Sequence, residues 1–310
     1  MTLLQKYKNM MNTKLSKIIV IVGPTTSHKT KLAIKLANTF NGEIINADAY
    51  QVYADMSIGT NAPTQEEKQS AIFHLNQFLK LDDKWDIKKF KEMAEAKILE
   101  LTNQNKLPII VGGSNLYIDT LINNYQLLDL PRNSDYDNLT NQELYDRLFK
   151  LNSTIADKIG INNRKRLIRA VQIIEHTNDP DAMVKRSNPQ YDFLMIECNY
   201  PTRDELYQSI NSKISSMFDE GWVDEVKQLI HKYPNLDVNT NNAYKAIGYR
   251  EVYDHIVNNS LLDIELIKQK VRHYAKRQIT WINNKYPSHL LFKQDNESEI
   301  LNKVEQWLKQ

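Results

Sequence analysis

Lys17-Ile-Ile-Val-Ile-Val-Gly-Pro-Thr-Thr-Ser-His-Lys-Thr30 decides the class of the fold. After Lys17, the five residues Ile18 to Val22 form an apolar, β-branched run that stops at glycine. Such a run reads as a strand buried on both faces. Leu32, Ala33, Leu36 and Ala37 then recur at helical spacing. The order is strand, loop, helix, and the loop lies where backbone amides and a helix N-terminus, carrying roughly +0.5 of an elementary charge, face an anion. In Gly23-Pro24-Thr25-Thr26-Ser27-His28-Lys29-Thr30 the Lys29 ammonium can hold phosphoryl oxygens, and the Thr30 hydroxyl can take a magnesium ion, Mg2+. His28 stands where the phosphate-loop pattern has glycine, and its Cβ crowds a tight turn. A coincidental strand-turn-helix, or a loop that has lost binding, are the alternatives to a working phosphate loop.

Outward from this stretch, Glu43–Asp48 and Leu107–Val111 read as two further strands, and Tyr191–Cys198 as a fourth. Ile87–Leu101 alternates as an amphipathic helix should, and Ile264–Asn284 reads as one long charged helix. Strands interleaved with helices predict an α/β fold with a parallel-sheet core like that of P-loop NTPases. Residues 123–185 change texture, first rich in Asn, Asp, Ser and Pro, then helical and basic. They are expected to form a helical insertion domain within a core of residues 16–122 and 186–310, with a helical C-terminus. Residues 1–15 are expected to be a mobile polar extension.

Composition excludes whole classes. In 310 residues, 41% are hydrophobic and 25% charged, with 8 Gly and 9 Pro, which is neither fibrous nor disordered. The lone Cys198 allows no internal disulfide and no cysteine zinc knuckle. No apolar stretch approaches a membrane span, so a cytoplasmic protein is expected. A net charge of +2, from 40 basic and 38 acidic residues, leaves any nucleic-acid surface to local patches.

A phosphate loop does not name a reaction. No strand ends in the Asp-Glu pair of a motor ATPase. The available acid is Asp48, at the carboxyl end of the second strand, where open α/β sheets bind ligands. It could hold magnesium through water, deprotonate a nucleophile, or sit idle in a solvated turn.

Five ordered blocks resemble the tRNA dimethylallyltransferase family: the phosphate loop; Gly42–Tyr53 with Met56, Ile58–Thr60 and Pro63-Thr64; Val111-Gly-Gly-Ser-Asn-Leu-Tyr117; Ala246–Glu251; and Tyr274–Trp281. The resemblance implies transfer of a dimethylallyl group from dimethylallyl diphosphate to the exocyclic amine of the adenosine 3′ of the anticodon, in a tRNA anticodon stem-loop. It implies that residues 23–30 hold the diphosphate and that Asp48, Thr30 and Lys213 are catalytic. Contacts to tRNA are implied for Asp48, Ala49, Tyr50, Gln51 and Ser114, with Gln51 reading the adenine edge. They are also implied for Asn162, Asn163, Arg164, Lys165, Arg166, Arg169 and Arg277. A monomer is expected. The chain departs from the family at His28, at Ala49 for serine, at Asn163 for aspartate and at Lys213 for arginine, which loses a bidentate fork. A diverged paralogue retaining only RNA binding and a P-loop small-molecule kinase are the rivals.

Overall fold

The computed structural model describes residues 15–128, 130, 134–182, 187–293 and 295–310. The extension expected over residues 1–15 therefore lies, apart from Leu15, outside the described residues. Strands β1 (Ser16–Val22), β2 (Gly42–Asn46), β3 (Phe73–His74), β4 (Leu107–Val111), β5 (Tyr191–Cys198) and β6 (Leu290–Phe292) form one sheet. Its order is β3-β2-β4-β1-β5-β6, and every pairing is parallel. The second strand ends at Asn46, two residues before Asp48, so the acid sits on the loop beyond the sheet.

Alternation along β1 shows why the sheet needs cover on both faces. Ile18, Val20 and Val22 enter one apolar cluster, while Ile19 and Ile21 enter another, and all five are fully buried. On the second face lie α1 (Lys29–Thr39), through Leu32, Ala33, Leu36 and Ala37, and the C-terminal helix (Glu297–Leu308), through Ile300 and Val304. The first face is covered by Phe90, Ala94, Ile98 and Leu101 of the helix Ile87–Asn103, by α4 (Asn115–Ile122), and by the later helices. In chain order the helices are α2 (Gln65–Ser70), α3 (Ile87–Asn103), α5 (Asn141–Leu151), α6 (Ser153–Ile159), α7 (Arg164–Thr177), α8 (Arg203–Asp219), α9 (Trp222–Lys232), α10 (Tyr249–Asn258), α11 (Ile264–Lys285) and α12 (Glu297–Leu308). Asp86 caps α3, its carboxylate accepting from the Lys88 and Lys89 amides. No helix among the described residues is long and apolar enough to cross a membrane.

The contacts divide the chain into two compact units, one of residues 1–122 and 189–310 and one spanning Asn123–Asn188. The smaller unit has its own core, in which Leu144 and Leu148 of α5 meet Leu167, Ala170, Val171 and Ile174 of α7. A reciprocal cap between Thr140 and Glu143 starts α5.

Two glycines permit close approaches at the carboxyl edge of the sheet. Gly23 leaves β1 at φ 141°, and a Cβ there would lie 2.2 Å from the Cys198 carbonyl oxygen. At Gly112 a Cβ would meet the Ala47 carbonyl oxygen at 2.2 Å, so only glycine lets the ends of β2 and β4 come together. Both obstacles are backbone and cannot swing aside. Gly112→Ala is expected to destabilise the chain by about 2 to 4 kcal/mol, the scale of forced backbone displacement in a packed site. A lowered urea midpoint with an unchanged slope would report it.

Candidate active site

The loops leaving β1, β2 and β4 surround a cavity of about 480 Å³. This is the carboxyl edge, where parallel α/β sheets build their sites. Thr25 to Lys31 line it from β1, Asp48, Tyr50 and Gln51 from β2, and Gly112 and Gly113 from β4. Ile214 and Met217 of α8, and Tyr274, Arg277 and Gln278 of α11, close it.

The β1 loop folds on the Pro24 carbonyl, which accepts from Ser27 Oγ at 2.7 Å and from Lys29 Nζ at 2.6 Å. Burial lowers the Lys29 ammonium to about 8, against the charge of Asp48, which favours its proton. His28 begins α1 with φ 62° and ψ 22°, the left-handed region that the missing glycine would take freely. Thr26 stands there too, at φ 66°. Left-handed backbone in non-glycine residues costs of order 1–3 kcal/mol each. The His28 imidazole is held below its ordinary value by burial and by the ammonium groups of Lys31 and Lys29.

Asp48 is fixed by its own turn. Its Oδ1 accepts from the Tyr50 amide at 2.9 Å and from the Gln51 amide at 3.4 Å. Burial raises its carboxyl above the usual range, and the two amides and the Lys29 charge oppose that rise. A carboxylate so placed is a better base than a solvated one. Three hydrogen bonds stitch this segment to the end of β4: Ala47 N to the Val111 carbonyl at 2.7 Å, Ser114 N to the Ala47 carbonyl at 3.2 Å, and Ala49 N to Ser114 Oγ at 2.9 Å.

Gln51 uses its amide hydrogens internally, donating Nε2 to the carbonyls of Thr60 and Asn61 at 3.2 and 2.9 Å. Its Oε1 remains the acceptor that could read a ligand donor. The 57–61 loop is itself pinned by Glu225 of α9, whose carboxylate accepts from the amides of Ser57 and Ile58, both at 2.7 Å, and from the Tyr249 hydroxyl at 2.6 Å. Sequence reading missed Glu225, which lies in no quoted block. Tyr274 and Gln278, both inside the last block, donate to the Gly113 carbonyl at 2.9 Å.

The structure does not bring every expected residue to this cavity. Lys213 lies outside its lining, with Nζ 3.4 Å from Glu220 Oε1 at the end of α8, so the ion pair rather than the cavity holds it. In the smaller unit the Arg164 guanidinium donates to the carbonyls of Tyr136, Asp137 and Leu139. Arg169 donates to the carbonyls of Leu128 and Leu130. Both arginines brace the backbone of their own unit. Lys165 and Arg166 are exposed, as is Asn162, while Asn163 precedes α7 without a side-chain cap. Arg277 is exposed at the cavity, 5.8 Å from the Tyr274 ring centre.

The family model described as IPP transferase matches residues 51–285. A tRNA dimethylallyltransferase from Malacoplasma penetrans is 45% identical over 296 residues, covering 94% of this chain and 98% of that protein. One from Staphylococcus aureus is 37% identical, covering 94% and 97%. Among solved structures, the tRNA isopentenylpyrophosphate transferase of Bacillus halodurans superposes with a TM-score of 0.72 at 33% identity, over 96% of this chain and 97% of that one. A eukaryotic dimethylallyltransferase acting on tRNA gives 0.78 at 28% identity, over 89% and 73%. With a family model spanning most of its length and relatives this similar from end to end, the chain belongs to the IPP transferase family.

Proposed function

We propose that the protein transfers a dimethylallyl group from dimethylallyl diphosphate to the exocyclic amine of the adenosine 3′ of the anticodon in tRNA. The observation that carries the reading is one cavity lined by a buried carboxylate, Asp48, and by an anion-binding loop with Lys29 and Thr30. The diphosphate lies on the loop amides and Lys29. The adenine, extruded from an already unstacked loop at a cost of a few kcal/mol, presents its amine to Asp48. The amine nitrogen attacks the allylic carbon, the carbon–oxygen bond breaks, and the pair of electrons leaves on the diphosphate. Asp48 accepts the proton lost by the nitrogen. Negative charge grows beside Lys29 and the α1 terminus, where fixed dipoles stabilise it most. The protein acts as a monomer in the cytoplasm.

Among the described residues no group of three or more His, Cys, Asp or Glu side chains could hold a metal ion. Magnesium takes most of its oxygen ligands from phosphate and water. Thr30 would contribute its hydroxyl. The ion supplies charge neutralisation on the leaving diphosphate.

Purified protein incubated with tRNA and dimethylallyl diphosphate should yield a prenylated adenosine by nucleoside mass analysis. ATP turnover without modified adenosine would favour a kinase instead. Asp48→Asn should lower the single-turnover rate about 10²- to 10⁴-fold with tRNA affinity unchanged, the range for a lost general base.

Because Lys29 titrates near 8 and its protonated form binds the anion, affinity for dimethylallyl diphosphate should fall as pH rises through about 8. The fall reaches at most about tenfold per unit. An unperturbed lysine would keep affinity level to about pH 10. Calorimetry across pH 7 to 10 separates the two.

Removing the charge at Arg166 or Arg277 should flatten the salt dependence of tRNA binding, with each lost phosphate contact changing the logarithmic slope by about 0.7 to 0.9. Arg164→Ala and Arg169→Ala should instead lower the stability of the smaller unit, read by denaturant titration, because each leaves backbone carbonyls without their donor.

A further inference from the structure

Thr26 and His28 both hold left-handed backbone in the loop that faces the cavity. A β-branched residue and an imidazole keep such conformations only where their surroundings over-determine them. One side chain meets both. Tyr200, two residues beyond β5, places its hydroxyl 2.8 Å from the Thr26 carbonyl oxygen, 3.1 Å from His28 Nε2 and 2.7 Å from Ser209 Oγ of α8. Its ring lies 5.7 Å from the imidazole at a tilt of 56°.

Counting protons fixes the direction of each bond. A phenol has one hydrogen to give and two lone pairs to receive. The Thr26 carbonyl can only accept, so it takes the Tyr200 hydrogen. The Tyr200 oxygen then accepts from Ser209 Oγ–H and from His28 Nε2–H, and every group is satisfied in the Nε2–H tautomer.

From this network we infer that Tyr200 is a positioning residue for the anion-binding loop, and that His28 is the handle by which Tyr200 holds the loop instead of a ligand of the anion. The inference rests on reading the loop as the diphosphate cradle. Glycine at position 28 would adopt φ 62° unaided; histidine needs a partner and has one. The residue that breaks the phosphate-loop pattern and the tyrosine that receives it are a matched pair. Ser209 extends the clamp to α8, whose Ile214 and Met217 line the same cavity, so loop and wall keep one spacing.

Titration calorimetry with inorganic pyrophosphate at pH 7.5, on the wild type, Tyr200→Phe, His28→Gly and the double variant, tests this without requiring turnover. Tyr200→Phe should weaken pyrophosphate binding about tenfold, the scale of losing one or two hydrogen bonds that hold a site in shape. In the His28→Gly background the same change should cost less than about threefold, because glycine supplies its own φ. In prenyl transfer Tyr200→Phe should raise KM for dimethylallyl diphosphate by the tenfold factor while kcat and the KM for tRNA stay within about twofold. A residue that merely supports the fold would lower kcat, thermal stability and tRNA affinity together, and that result overturns the inference. So does unchanged pyrophosphate affinity in Tyr200→Phe, or an equal loss in both backgrounds. A large loss in His28→Gly beside a neutral Tyr200→Phe overturns it too, and makes the imidazole a direct ligand. If the wild type binds pyrophosphate and shows the Tyr200 effect but never modifies tRNA, the clamp stands and the reading of the function falls.

Discussion

The segment Ala47–Ala49 is stitched to Val111–Ser114 by three hydrogen bonds, and the rest of the site hangs on that seam. It forms because Gly112 lets the Ala47 carbonyl approach to a distance no Cβ would allow. With the ends of β2 and β4 locked, the Asp48 turn can lean on its own amides, and its carboxylate acquires one position over the cavity. Hydrogen bonds of this kind are individually worth about 1 kcal/mol. Their weight here lies in fixing direction, since a base displaced by an ångström is a poor base.

Burial acts on the two charged groups of the site in opposite senses and towards the same end. It lowers the Lys29 ammonium to about 8 and raises the Asp48 carboxyl, so each is drawn toward neutrality while their mutual attraction resists. An anion beside Lys29 would favour the protonated amine.

The sheet was legible because its central strands are short unbroken apolar runs. Leu107–Val111 and Tyr191–Cys198 have the bounds that their composition implies. The outer strands were not legible: β3 is two residues and β6 three, and they exist only because β2 and β5 offer hydrogen-bonding edges. Motif spacing likewise made readable that the β1 loop, Asp48 and Gln51 would line one cavity, since all lie just past strand ends. Tyr200 carries the same signal, two residues past β5, yet no pattern names it. Its importance follows from two backbone angles, and a residue's φ is not written in its identity unless it is glycine or proline.

Charge runs mark the limit of the same reading. Asn162–Arg169 offers four cations, and composition alone treats them as equivalent. The fold does not. Arg164 donates to the carbonyls of Tyr136, Asp137 and Leu139 and Arg169 to those of Leu128 and Leu130, since a guanidinium with five hydrogens serves several acceptors at once. Lys165 and Arg166 have no such neighbours and remain in solvent. The Lys213 ammonium settles on Glu220, about two turns further along, outside the cavity that its neighbour Ile214 lines.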